Sequence, residues 1–169
     1  MKIYLLCTNH SNQLIGYANG NSEKFLHYLK HVYHEIDDID LIAEELNEEA
    51  INLWKTTDSA CRLFAQSMKL MHQYCDPNSH ERHLLGIESD LEIRTRLGFG
   101  KSLTIDQDNQ VQLELIKYFS VREKFWLEKM LSFDFKKCLF VFGKTHVDSF
   151  SKLLSSSGIL FEELDKNWK

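Results

Sequence analysis

The run Lys2-Ile3-Tyr4-Leu5-Leu6-Cys7 stands at the start of the chain and stops at the polar Thr8-Asn9-His10. Apolar side chains occupy both alternating positions, the pattern of a strand covered on both faces rather than one with a wet side. Similar runs recur at 39–43, 138–142 and 159–164, with a shorter one at 71–75. Segments of helical period lie between them. In residues 21–36, Phe25, Leu29, Val32 and Ile36 fall on one side at three- and four-residue steps. Thr57 or Asp58 caps a helix through Met68, and Pro77, Asn78 and Ser79 open another through Leu85. A long helix is expected over about 111–132, and one over 147–154 is stopped by Gly158. Strand and helix in alternation predict a single α/β domain, with a small, mainly parallel sheet and helices on both of its faces.

The stretch 88–110 interrupts this rhythm with two glycines, mixed charges and no sustained apolar period, and reads as an irregular insertion or a lid. Within it, Gly100-Lys101-Ser102 has the ending of a phosphate loop. Thr95 occupies the place of that motif's first glycine and no apolar strand precedes it, so an ordinary loop is expected.

A chain of 169 residues with 43% hydrophobic side chains and a single proline has enough apolar surface for one core and is no disordered or fibrous sequence. It contains no uninterrupted apolar run of about 20 residues, and its first residues form neither a basic leader nor a cleavage site. Neither a membrane partner nor secretion is expected. The formal net charge of −5 gives no general attraction toward nucleic acid, and no basic patch stands out. Cys7, Cys61, Cys75 and Cys138 form no Cys-x-x-Cys pair, which fits a reducing cytoplasm and disfavours a finger-type zinc site.

In open parallel sheets, ligands bind beyond the carboxyl ends of the strands, where loops and helix N-termini converge. The first strand leads into Cys7-Thr8-Asn9-His10, the second into Glu44-Glu45, and the fourth into Gly143-Lys144-Thr145-His146. Each has an ordinary reading alone: the start of a solvated helix, a loop residue, a turn cap. Together, two imidazoles and a carboxylate from separate strand ends suit one divalent cation with an open position for water. Such a cation would activate that water and polarise a substrate oxygen.

Leu115, Ile116, Phe119, Trp126, Leu127 and Met130 form an apolar stripe, with Glu123 in its middle and Arg122 near its edge. A carboxylate on a buried face needs a partner, so Glu123 reads either as a structural ion-pair member or as a group that supports the site. Asp76 and Glu81-Arg82-His83 follow the short strand and lie near the same rim, where Arg82 is either an anion clamp or a surface salt-bridge partner. His27, His31 and His34 line up at helical spacing opposite the apolar stripe of their helix, the pattern of a solvated face.

The strand-end motifs and the acid pair resemble the TraB/Tiki-like, erythromycin-esterase-related group, described by two Gly-x-x-His motifs and an acid after the second strand. The likeness runs in motif order from residue 3 to about residue 158, with Cys7 where the first motif has glycine. Some members of that group act as metal-dependent hydrolases, and the resemblance implies His10, Glu44 or Glu45, and His146 as the key positions. The leading expectation is a metal-assisted hydrolase of an ester, amide or related small substrate. It assigns His10, Glu44 and His146 to the metal, Glu45, Glu123 and Arg122 to the chemistry, and Arg82, Asn9 and Lys144 to substrate contact. The alternative is a binding protein that holds an anionic small molecule on the same rim through Arg82, Arg122 and helix amides. A self-associating interaction protein is a third class, marked by an apolar patch between copies.

Overall fold

Strands β1 (Lys2–Thr8), β2 (Leu41–Glu44), β3 (Met71–Tyr74), β4 (Lys137–Phe142) and β5 (Leu160–Trp168) form one sheet in the order β3-β2-β4-β1-β5, and each neighbouring pair is parallel. This is a computed structural model, and it describes residues 1–18 and 20–168. The helices are α1 (His10–Gln13), α2 (Ser22–Ile36), α3 (Glu48–Leu53), α4 (Ala60–Met68), α5 (Ser79–Leu84), α6 (Asp90–Arg96), α7 (Ile105–Ile116), α8 (Phe119–Leu131) and α9 (Val147–Ser156). The described residues make one α/β domain, as the alternating pattern predicts.

Side chains alternate across a strand, so the doubly apolar runs feed two cores. Ile3, Leu5 and Cys7 of β1, with Phe140 and Phe142 of β4, pack against Trp126 and Met130 of α8 and Phe150 of α9. Tyr4, Leu6, Leu139 and Val141 point the other way, onto Phe25 and Leu29 of α2 and Phe64 of α4. Leu5 and Phe140 are fully buried. Each such side chain contributes roughly 1.5–3 kcal/mol by leaving water. The same alternation governs the end of β2, where it sends two consecutive acids to opposite faces.

Three sequence expectations change, the first at α4, where the cap is Ser59, whose Oγ accepts from the Arg62 N–H, and not Thr57 or Asp58. The stretch expected to be irregular contains α6 and the first half of α7, each opened by a capping box. The Ser89 and Thr104 side chains accept from the backbone N–H groups of Glu92 and Gln107, whose own side chains accept from the cap backbones. Ile93 and Val111 anchor the two helices with fully buried side chains. The expected long helix over 111–132 is two helices, broken at Lys117 and Tyr118. Tyr118 is bound there: its hydroxyl donates to Glu88 at 2.8 Å.

Candidate functional site

Asp76 follows β3, Glu45 follows β2, Gly143 and His146 follow β4, and His10 follows β1. Their order across the carboxyl rim is therefore the order of four adjacent strands, and one continuous polar row joins them. Asp76 accepts from Arg82 Nη2, from Arg122 Nε and Nη2 at 3.1 and 2.6 Å, and from Trp126 Nε1 at 3.1 Å. Arg122 Nη2 also donates to Glu45 Oε1 at 2.9 Å, and the Gly143 N–H donates to Glu45 Oε2 at 2.7 Å. Two imidazoles face the same carboxylate: His10 Nε2 and His146 Nε2 lie 3.8 and 3.6 Å from Glu45 Oε1.

The His146 ring is fixed from behind. Its Nδ1 lies 2.8 Å from Glu123 Oε1, and because a carboxylate only accepts, Nδ1 carries the hydrogen and Nε2 is turned toward Glu45. Ser149 Oγ donates to the same Glu123 oxygen. Phe119 and Trp126 hold the ring, with centroids 3.8 and 4.7 Å away. His10 is differently placed, with Nδ1 2.9 Å from Gln13 Oε1 and 45% of its side chain exposed, against 3% for His146. Solvent and ligands thus reach His10, while His146 is an internal member.

Buried charges persist only when paired. Burial pushes the Asp76 carboxyl upward, but the Arg122 and Arg82 guanidiniums outweigh it and hold the group below the usual carboxylate range. For Arg122, burial works against the charge, while Asp76 and Glu45 more than restore it. The Arg122 guanidinium also lies 5.2 Å from the centre of the Trp126 ring.

The structure brings together His10, Glu45 and His146 and ties Arg122, Glu123 and Arg82 into the same row. Asn9 and Lys144 are exposed in the flanking turns. Glu44 is elsewhere. It is fully buried on the α2/α4 face, where Ser59 Oγ and Gln13 Nε2 donate to it and His72 Nε2 lies 2.8 Å from Oε1. Its charge helps burial raise the thiol of Cys61 and the hydroxyl of Tyr74.

These positions overturn the divalent-metal expectation. Among the described residues, no group of three or more His, Cys, Asp or Glu side chains is arranged to hold a metal ion. Glu44 faces away from His10 and His146, and the cation beside Glu45 is the Arg122 guanidinium. The metal-assisted hydrolase expectation falls with it, since its nucleophile was to be a metal-bound hydroxide. Two of the helices that start at the rim offer an anion little: α1 has four residues, and His146 and Val147 at the start of α9 are buried.

Sequence reasoning missed Ser149, Gln13 and the backbone N–H of Gly143. Ser149 and Gln13 each stand three residues after a rim histidine, one helical turn on, which was the available signal. Gly143 was marked as the glycine three residues before His146, but nothing in the sequence marked its N–H as a donor to Glu45. No protein-family model, curated protein or solved structure matches the chain. Among the described residues, no helix is long and apolar enough to cross a membrane.

Proposed function

We propose that this domain binds a small molecule by an anionic group, carboxylate or phosphate, at the carboxyl rim of its sheet. The supporting observation is the pair of guanidiniums fixed on one carboxylate. Arg82 and Arg122 both donate to Asp76, and among the described residues the Nη1 of neither makes a hydrogen bond. Each Nη1 offers two N–H groups already oriented, so little entropy is lost when an anion accepts them. The half-exposed His10 ring lies at the other end of the row, and Asn9 and Lys144 flank it.

Two arginines against Asp76 and Glu45 leave that part of the frame formally neutral. Attraction is then short-range and depends on hydrogen bonds more than on field, and affinity falls only gently with salt. The cytoplasmic placement expected from the cysteines belongs to this reading.

Calorimetric titration with inorganic phosphate and a panel of small mono- and dicarboxylates tests it on the wild-type chain and on Arg82→Gln. One saturable site for some member of the panel is expected, weakened by about tenfold in the variant. Absence of binding across the panel, or equal affinity in the variant, overturns the proposal.

A further inference from the structure

The break between α7 and α8 opens a groove of about 530 Å³ against α9, a size within the range of small-molecule sites. Ile116, Phe119 and Leu153 give it apolar walls, and Ile116 is 51% exposed although nothing in its chemistry favours water. Lys117, Lys124 and Lys152 also line the groove. Glu114 neutralises Lys117 at 2.5 Å, whereas Lys124 and Lys152 make no ion pair among the described residues. The one lining carboxylate, Glu123, is already engaged by His146 and Ser149.

We infer that this groove is a second ligand site, for a free single-chain amphiphile with an anionic head, such as a medium-chain alkyl carboxylate. The alkyl chain lies on Ile116, Phe119 and Leu153, whose apolar surface it removes from water. The head meets Lys124 and Lys152. This complementarity selects an anionic amphiphile over a neutral one, since a neutral head leaves both ammonium groups without a partner. The site lies behind His146 and shares Glu123, Ser149 and Phe119 with the support of that ring.

The test is calorimetric titration of the full chain with dodecanoate below its micelle concentration, with dodecanol as the neutral counterpart. With the rim occupied by inorganic phosphate, one dodecanoate per chain is expected, equally in wild type and in the rim variant Arg82→Gln, with dodecanol weaker by about tenfold. The double charge reversal Lys124→Glu/Lys152→Glu loses a similar factor. Its control, Lys24→Glu/Lys30→Glu on α2, changes the net charge equally and leaves affinity unaltered. Inorganic phosphate, the probe of the rim, does not displace dodecanoate, so failure of one site is distinguishable from failure of the other. Equal binding of alcohol and carboxylate, retained affinity in the groove variant, or equal loss in the control overturns the inference. So does binding to anionic vesicles without binding of the free amphiphile.

Discussion

Arg122 and Asp76 stand 46 residues apart in the chain, and two nitrogens of one meet a single oxygen of the other, at 3.1 and 2.6 Å. This contact ties α8 to the loop after β3 and holds Arg122 where it also reaches Glu45. It also supplies the positive charge beside Glu45.

Removing the charge of Asp76 therefore has a structural cost. Asp76→Asn leaves Arg122 and Arg82 sharing a neutral acceptor in a buried place. Unfolding by urea should show a loss of about 3–5 kcal/mol, the magnitude for breaking a buried pair from one side. A loss under about 1 kcal/mol would mean that the contact contributes no more than a surface pair.

Acid should remove the same contribution. The folded-state value of Asp76 is depressed, because the two guanidiniums outweigh the upward push of burial. Its contribution is then fully present above the unfolded value of about 3.9 and is lost as pH falls through the lower folded value. The stability gap between wild type and Asp76→Asn should be constant from pH 7 to about 4.5 and narrow below that. A gap that stays constant to pH 2 contradicts this coupling.

Glu44 and Glu45 are adjacent in sequence and opposite in consequence. Glu44→Gln disturbs Ser59 and His72 on the α2/α4 face and reaches the rim only through Gln13, which also faces His10 Nδ1, so a stability loss of about 1–3 kcal/mol is expected with a smaller loss of rim affinity than in Glu45→Gln. Glu45→Gln weakens the hold on Arg122 and changes ligand affinity at the rim. Paired melts and phosphate or carboxylate titrations separate the two, and a loss of rim affinity in Glu44→Gln as large as in Glu45→Gln would contradict the division by face.

Gly143 is needed for space rather than for backbone freedom. Its φ of −75° suits any residue, but an added Cβ would lie 3.3 Å from Glu45 Oε2 and 3.6 Å from His10 Nε2. Gly143→Ala should cost less than about 1 kcal/mol in a thermal melt while it moves both rim side chains and lowers ligand affinity. The reverse pattern, intact affinity and a large stability loss, would locate its role in the core.

What could be read from the sequence follows from what is local. The strands at 2–7 and 138–142 were legible because a doubly buried strand has apolar residues at every position, and Glu123 was legible as an acid in an apolar stripe. The pairing of Arg122 with Asp76 and Glu45 links residues 46 and 77 positions apart, and no spacing encodes that. Two histidines converging on a glutamate that an arginine holds have the same sequence pattern as the three converging on a metal, which is why the metal expectation failed. The face of Glu44 turned on a strand end that shifts by one residue, enough to exchange the two acids. The helices within 88–110 did leave a signal, the Ser-x-x-Glu and Thr-x-x-Gln caps at Ser89 and Thr104, obscured by the mixed charges around them.

The most direct test of anion binding at the rim is to follow the side-chain nitrogen resonances of Arg82, Arg122 and His10 by NMR during titration with the best anion of the panel. Saturable shifts in all three, with one common dissociation constant and none at His72 on the opposite face, are the predicted result. Shifts absent from both arginines at saturation, or equally large at His72, would contradict it.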